Sequence, residues 1–159
     1  QPLLKINYSP VSVLTVAFKR SDVAQPLDGF GMLVPECEGR KILGVLFPAS
    51  LFAGRAPAGE VLLTVFVGGE RQAELAVPDK DTLLATVLPE LNELFGTTGE
   101  PTFSHHRHWP RAIPQYNFGY GKMLAQMDAI EKQFAGLKLA GNYRDGISLS
   151  CCIEAAVSK

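Results

Sequence analysis

LAGNYRDGISLSCCIEAA, residues 139–156, decides how this chain is read. Leu137 and Leu139 lead into it, Gly141 and Gly146 bracket a polar turn, and small or apolar residues follow as far as Val157. We read 137–140 as a short buried strand, GNYRDG as the break and 147–157 as a helix. A glycine turn feeding a helix aims free backbone N–H groups at whatever lies before it, and that end of the helix carries partial positive charge. Such a start favours an anion or a polarised carbonyl oxygen. The same residues also suit an ordinary turn whose glycine takes an unusual backbone angle, so the chemistry depends on the rest of the chain.

Working outward, Met123, Met127, Ile130 and Phe134 share one face of a helix predicted over 119–134, while Lys122, Gln126, Asp128 and Lys132 fall mostly elsewhere. From Asp79 onward Leu83, Leu84, Val87, Leu88, Leu91, Leu94 and Phe95 recur at helical spacing, with Asp79 or Asp81 as cap and Gly96 as stop. Pro89 is the misfit: inside a helix it removes a hydrogen bond and clashes with the preceding turn at ~3 kcal/mol, which predicts a kink or a break. Before that helix the period is that of strands. VSVLTVAF (11–18), DGFGMLVP (28–35), ILGVLF (42–47) and VLLTVFV (61–67) are apolar runs separated by turn residues, consistent with an antiparallel meander. The fold class is therefore α+β: an antiparallel or mixed sheet with flanking helices, closing in a strand and a helix.

At 159 residues, 47% of them hydrophobic, the chain can build one core, and a domain of that size buries roughly two-thirds of its unfolded surface. Fifteen basic residues oppose sixteen acidic ones, for a net charge of -1, and no block of like charge occurs. That excludes a nucleic-acid footprint and a polybasic membrane patch. The longest apolar runs are strand-sized and fall short of the ~20 residues of a membrane span. Gln1 opens the chain with no initiator Met and no signal pattern, which suggests a piece of something longer. Cys37 stands alone and Cys151 adjoins Cys152, a pattern without disulfide spacing that points to a reducing compartment, in the cytoplasm or on the cytoplasmic face of a membrane.

Other candidate motifs reduce to packing. His105, His106 and His108 lack partner ligands at metal spacing, and along a strand only His106 and His108 share a face. GFG at 29–31 and GYG at 119–121 are not dinucleotide fingerprints. Cys151 and Cys152 fit core packing better than an activated thiol. Neither a nucleophile triad nor a carboxylate pair is present at usable spacing, so no residue is assigned as catalytic.

The stretches PLDGFGMLVPE, ILGVLFPASLFAGRAP, LLTVFVGG and RHWPRAIPQYNFGYG, followed by LAGNYRDGISLSCCIEAA, stand in an order and spacing that resembles the C-terminal portion of protoporphyrinogen oxidases, in the flavin-dependent amine oxidase superfamily. The resemblance spans nearly the whole chain. It implies that the closing helix approaches the flavin ring of FAD, with Ile147, Ser148 and Leu149 in contact and Asn142 and Gly146 shaping the approach. Hydride removal from a substrate leaves negative charge near flavin N1 and the C2 carbonyl, which N–H groups at a helix start would stabilise. Trp109, the only tryptophan, is placed beside the flavin by the same resemblance, and Tyr116 is a structural partner of that region. Leu33 and Phe47 are candidates for the apolar walls that hold a flat tetrapyrrole. LFPAS departs from the serine-rich continuation expected there, which alters the pocket.

The resemblance implies that 1–110 are part of a substrate-binding domain and that 111–159 complete an FAD-binding domain. The glycine-rich strand, turn and helix that would hold the rest of FAD is missing from these residues. The chain alone is therefore expected neither to retain FAD nor to turn over. The implied reaction of the whole is oxidation of protoporphyrinogen IX to protoporphyrin IX in haem and chlorophyll synthesis, with oxygen as the usual acceptor, in a membrane-associated parent. An incomplete flavin domain exposes apolar surface, which predicts self-association as a homo-oligomer. The alternatives are an oxidoreductase of the same superfamily acting on amines or carotenoid precursors, and a non-enzymatic binding module with an oxidase-like tail.

Overall fold

The computed structural model describes residues 2–77 and 79–158; Gln1, on which the expectation of a cut-out piece rests, lies outside it with Pro78 and Lys159. Two compact units divide the chain: Pro10–Pro110, and Gln1–Ser9 with Arg111–Lys159.

The first unit is organised by a sheet of five strands: β1 (Tyr8–Lys19), β2 (Gly31–Leu33), β3 (Gly44–Leu46), β4 (Glu60–Gly68) and β5 (Phe103–Pro114), in the order β2, β3, β4, β1, β5. β1 pairs antiparallel with β4, β4 with β3, and β3 with β2. In β4 the apolar residues alternate, so Val61, Leu63, Val65 and Val67 are buried on one side. Their partners across the ladder are Phe18, Val16, Leu14 and Ser12, and directly opposed residues share a face. A four-residue helix, α1 (Pro48–Leu51), separates β3 from β4.

That face is covered by α2 (Lys80–Phe95). The Asp79 side chain accepts from the Thr82 N–H at 2.7 Å and so caps one end. Gly96 closes the other in the left-handed region, φ 60°, where a Cβ would stand 2.8 Å from that of Ala24. Leu83, Val87, Leu91 and Phe95, each four residues from the last, are buried and join the strand residues in one cluster. Burial at ~1.5–3 kcal/mol for each large apolar side chain outweighs one awkward proline. The break expected at Pro89 is accordingly absent, and the helix runs through it for 16 residues.

The second unit holds α3 (Tyr120–Gln133) and α4 (Leu149–Ser158). A 3₁₀ turn at Pro2–Lys5 contacts α3, and the Gln115 N–H donates to the Asn7 carbonyl at 2.9 Å. The strand expected over 137–140 is not formed. At Leu139 side chains take the place of a neighbouring strand: its N–H donates to Glu131 Oε1 at 2.6 Å, and its carbonyl accepts from Arg144 Nη1 at 3.0 Å. A strand is stable only when its ladder groups meet another strand, and here both meet a carboxylate and a guanidinium instead. The closing helix begins at Leu149, two residues later than expected, which leaves Ile147 and Ser148 ahead of it.

Candidate functional site

The approach to α4 is set residue by residue. Gly141 and Gly146 both have positive φ, 143° and 118°. A Cβ on Gly146 would stand 2.9 Å from Cys151 Cβ and 3.1 Å from its sulfur, so glycine is required there by both angle and space. Ser148 then caps the helix: its Oγ accepts from the Cys151 N–H at 3.1 Å, and its carbonyl accepts the first helical bond, from Cys152, at 3.1 Å. The N–H groups of Leu149 and Ser150 fall in the first turn, outside both the cap and the i−4 ladder. Two adjacent donors at the positive end of a ten-residue helix suit a polarised carbonyl or an anionic ring edge. Ile147 is 51% and Leu149 77% exposed, so the site presents apolar surface around those donors.

The turn before α4 is held from the α3 side. The Tyr116 hydroxyl donates to the Asn142 carbonyl, and the Tyr120 hydroxyl donates to the Tyr143 carbonyl at 2.5 Å. Burial pushes the phenols of Tyr116, Tyr120 and Tyr143 above their ordinary value of 10, so the hydroxyls remain neutral donors. At Tyr116 a backbone hydrogen bond with Gly146 pulls the other way. Arg144 reaches Glu131 Oε1 at 2.8 Å and Asp128 Oδ1 at 2.5 Å, fastening the turn to α3 by two carboxylates. The Arg144 and Asp145 N–H groups both donate to the Gly141 carbonyl.

The structure therefore brings Asn142, Gly146, Ile147, Ser148 and Leu149 together in one turn and helix start. Trp109, Leu33 and Phe47 belong to the other unit. Trp109 lies on β5, where Phe103, His105, Arg107 and Trp109 alternate outward; it is 46% exposed, with the Arg107 guanidinium 4.6 Å from its ring. Leu33 ends the edge strand β2 and is 86% exposed. Phe47 is buried in the core cluster and meets Phe95 edge-on at 5.5 Å, so its ring shapes the sheet from within. Among the described residues Leu27 is the one non-glycine with positive φ, 58°, in the turn leading to β2.

His106 and His108 do share a face. Both rings bond to the buried hydroxyl of Ser12, His106 Nε2 at 3.1 Å and His108 Nδ1 at 3.2 Å. Ser12 itself donates to the Val77 carbonyl at 2.8 Å. Its single proton is thereby committed, so both imidazoles must donate to it. Sequence reasoning did not find the parts played by Tyr120, Glu131 and Arg144. The available signal was Tyr116 and Tyr120 four residues apart, next to a helix carrying Asp128 and Glu131 three residues apart.

The chain belongs to the family of flavin containing amine oxidoreductases, which matches residues 1–158. It is 43% identical over 148 residues to the mitochondrial protoporphyrinogen oxidase of Nicotiana tabacum, and 40% identical over 150 residues to protoporphyrinogen oxidase 2, chloroplastic/mitochondrial, of Arabidopsis thaliana. These alignments cover 91% and 92% of this chain but 29% and 30% of those proteins, so the chain spans less than a third of their length. A crystal structure from Exiguobacterium sp. 255-15 superposes with a TM-score of 0.79 over 98% of this chain and 34% of its own; at 24% identity the likeness is one of fold. No described helix is long and apolar enough to cross a membrane.

Proposed function

We propose that the chain is the C-terminal part of an FAD-dependent protoporphyrinogen oxidase, oxidising protoporphyrinogen IX to protoporphyrin IX in tetrapyrrole synthesis. The observation that carries this is the start of α4, where two adjacent N–H groups stand clear of the Ser148 cap. When bound, FAD supplies the hydride acceptor. In this reading Leu149 and Ser150 offer their N–H groups to the pyrimidine edge, where negative charge collects on reduction. Asn142 and Gly146 fix the path of the turn, and Ile147, Ser148 and Leu149 are the contacts. Trp109 is the candidate cofactor contact on β5, and Leu33 and Phe47 are the candidates for the apolar wall that a flat tetrapyrrole needs. Residues 1–110 act as part of the substrate-binding domain and 111–159 complete the flavin-binding one. The parent associates with a membrane from its cytoplasmic side.

The test is a flavin titration of this chain and of the full-length product of its gene, followed by absorbance and Trp109 fluorescence. The longer protein is expected to bind FAD and oxidise protoporphyrinogen, and the chain alone to do neither. Tight FAD binding by the chain alone would show that the glycine-rich segment is dispensable. Oxidation of an amine but no porphyrinogen by the longer protein would overturn the substrate.

A further inference from the structure

We propose that Tyr116 and Tyr120 are positioning residues for the flavin edge, setting the place of the α4 start by clamping the turn ahead of it. This rests on the flavin reading above. The two rings lie 4.9 Å apart, tilted by 44°, at the entrance to α3, and their hydroxyls donate to consecutive carbonyls, those of Asn142 and Tyr143. Two bonds to successive peptide planes fix the orientation of that stretch of backbone, because each planar peptide carries its carbonyl and N–H rigidly opposed. Both bonds fall at the start of the turn, on the two residues that follow Gly141. From Tyr143 the chain runs through Arg144, itself fastened to α3, to Gly146 and the Ser148 cap, hence the clamp reaches the Leu149 and Ser150 donors through five residues of chain.

The entrance to α3 is itself well determined. Gly119 sits in the left-handed region at φ 87°, and the Tyr120 N–H donates to the Asn117 carbonyl at 3.0 Å. Both tyrosines thus project from a set corner. Arg144 fastens the same turn through Asp128 and Glu131 on the body of α3, so removing a hydroxyl loosens the turn without detaching it. A phenylalanine keeps the ring contact and loses the donor alone, which makes the hydroxyl contribution separable from packing. A turn ordered in advance lowers the entropy that cofactor binding must otherwise supply.

The experiment uses the full-length protein, with Tyr116→Phe, Tyr120→Phe and the double variant, measuring melting temperature, FAD dissociation constant, visible flavin spectrum and flavin reduction potential. The double variant is expected to bind FAD about tenfold more weakly, each single about threefold, as the loss of modest hydrogen bonds predicts. The flavin bands are expected to shift and the potential to fall, because donors aimed at N1 and the C2 carbonyl stabilise the reduced ring. A structural role alone would move the melting temperature and leave the potential in place. If the double variant does not fold, the single variants decide. Unchanged affinity, spectrum and potential in variants of a protein that binds FAD overturn the clamp only. Failure of the unmodified full-length protein to bind FAD overturns the flavin reading, and the clamp with it.

Discussion

Each of the two units of this chain coheres internally by different physics. In Pro10–Pro110 the cohesion is apolar: β1, β4 and α2 turn Leu14, Val16, Phe18, Leu63, Val65, Leu83, Val87 and Leu91 into one cluster closed to solvent. In the unit of 111–159 the buried anchors of α3 and α4 reduce to Met127, and the turn between them is tied by Arg144, Asp128, Glu131 and two tyrosine hydroxyls. On α4 an apolar row of Leu149, Ile153 and Val157 faces outward, 77%, 55% and 84% exposed. Directed bonds hold a turn in place where apolar surface is reserved for something else. The apolar unit should tolerate change at its rim and fail at its centre, and the polar unit should lose one tie at a time.

The sharpest break of that contrast is Leu91→Ala. Leu91 is closed to solvent on the buried face of α2, and its truncation should cost about 2–5 kcal/mol, read by denaturant unfolding. A loss below 1 kcal/mol would mean that the cluster is not cohesive, and the comparison fails. Next in size is Arg144→Met, which removes the cation faced by Asp128 and Glu131 and the donor to the Leu139 carbonyl. It should cost roughly 1–3 kcal/mol, and hydrogen exchange should rise within 137–148 while the sheet stays protected. Deprotection of β4 together with the turn would show that the two units do not lose order separately.

The contrast also governs how much was legible in advance. Spacing exposes apolar cohesion, so α2 and its Gly96 stop, β1 and β4 were readable from Leu83 to Phe95, from 11–18 and from 61–67. No local rule at Pro89 counts the burial of Leu83, Val87, Leu91 and Phe95, which carries the helix through it without a break. β5 is hidden in the sequence, because Pro110 and the histidines mask an alternation of Phe103, His105, Arg107 and Trp109 against Ser104, His106 and His108. At the candidate site the glycine turn and the helix after it were legible, and on β5 the shared face of His106 and His108 was legible too. What failed was 137–140, whose apolar look suited a strand while its ladder groups are engaged by Glu131 and Arg144, partners eight and five residues away that no period announces. The Tyr116 and Tyr120 bonds were equally silent, since a phenol in a sequence does not say which carbonyl it will meet.

Smaller than these is the cap. Ser148→Ala removes the acceptor of the Cys151 N–H and should cost about 1 kcal/mol, frayed from the N-terminal end of α4 only. Ser148→Asp, which restores an acceptor and adds favourable charge at that end, should recover it. Equal melting curves for all three proteins would show that this helix start is not set by its cap, and would weaken the case for a pre-formed donor pair.

The smallest expected effect lies in the apolar unit, at the buried Ser12 hydroxyl and the imidazoles bonded to it. His106 is held below its ordinary value of 6.5 by burial first, then by His108 and His105, with Asp79 pulling the other way. The folded chain therefore binds this proton less readily than the unfolded one. Stability from the neutral ring is present in full above 6.5; as pH falls below 6.5 the unfolded chain takes the proton first, and the advantage is lost until the lower folded value is passed. His106→Gln keeps a donor for the Ser12 hydroxyl and cannot titrate. Its melting temperature should fall less than that of the unmodified chain between pH 7.5 and 5.5, a difference on the order of a degree or two. Parallel slopes would place the ring in contact with water in spite of Ser12, and the sheet unit would then be less sealed at its β5 edge than its centre implies.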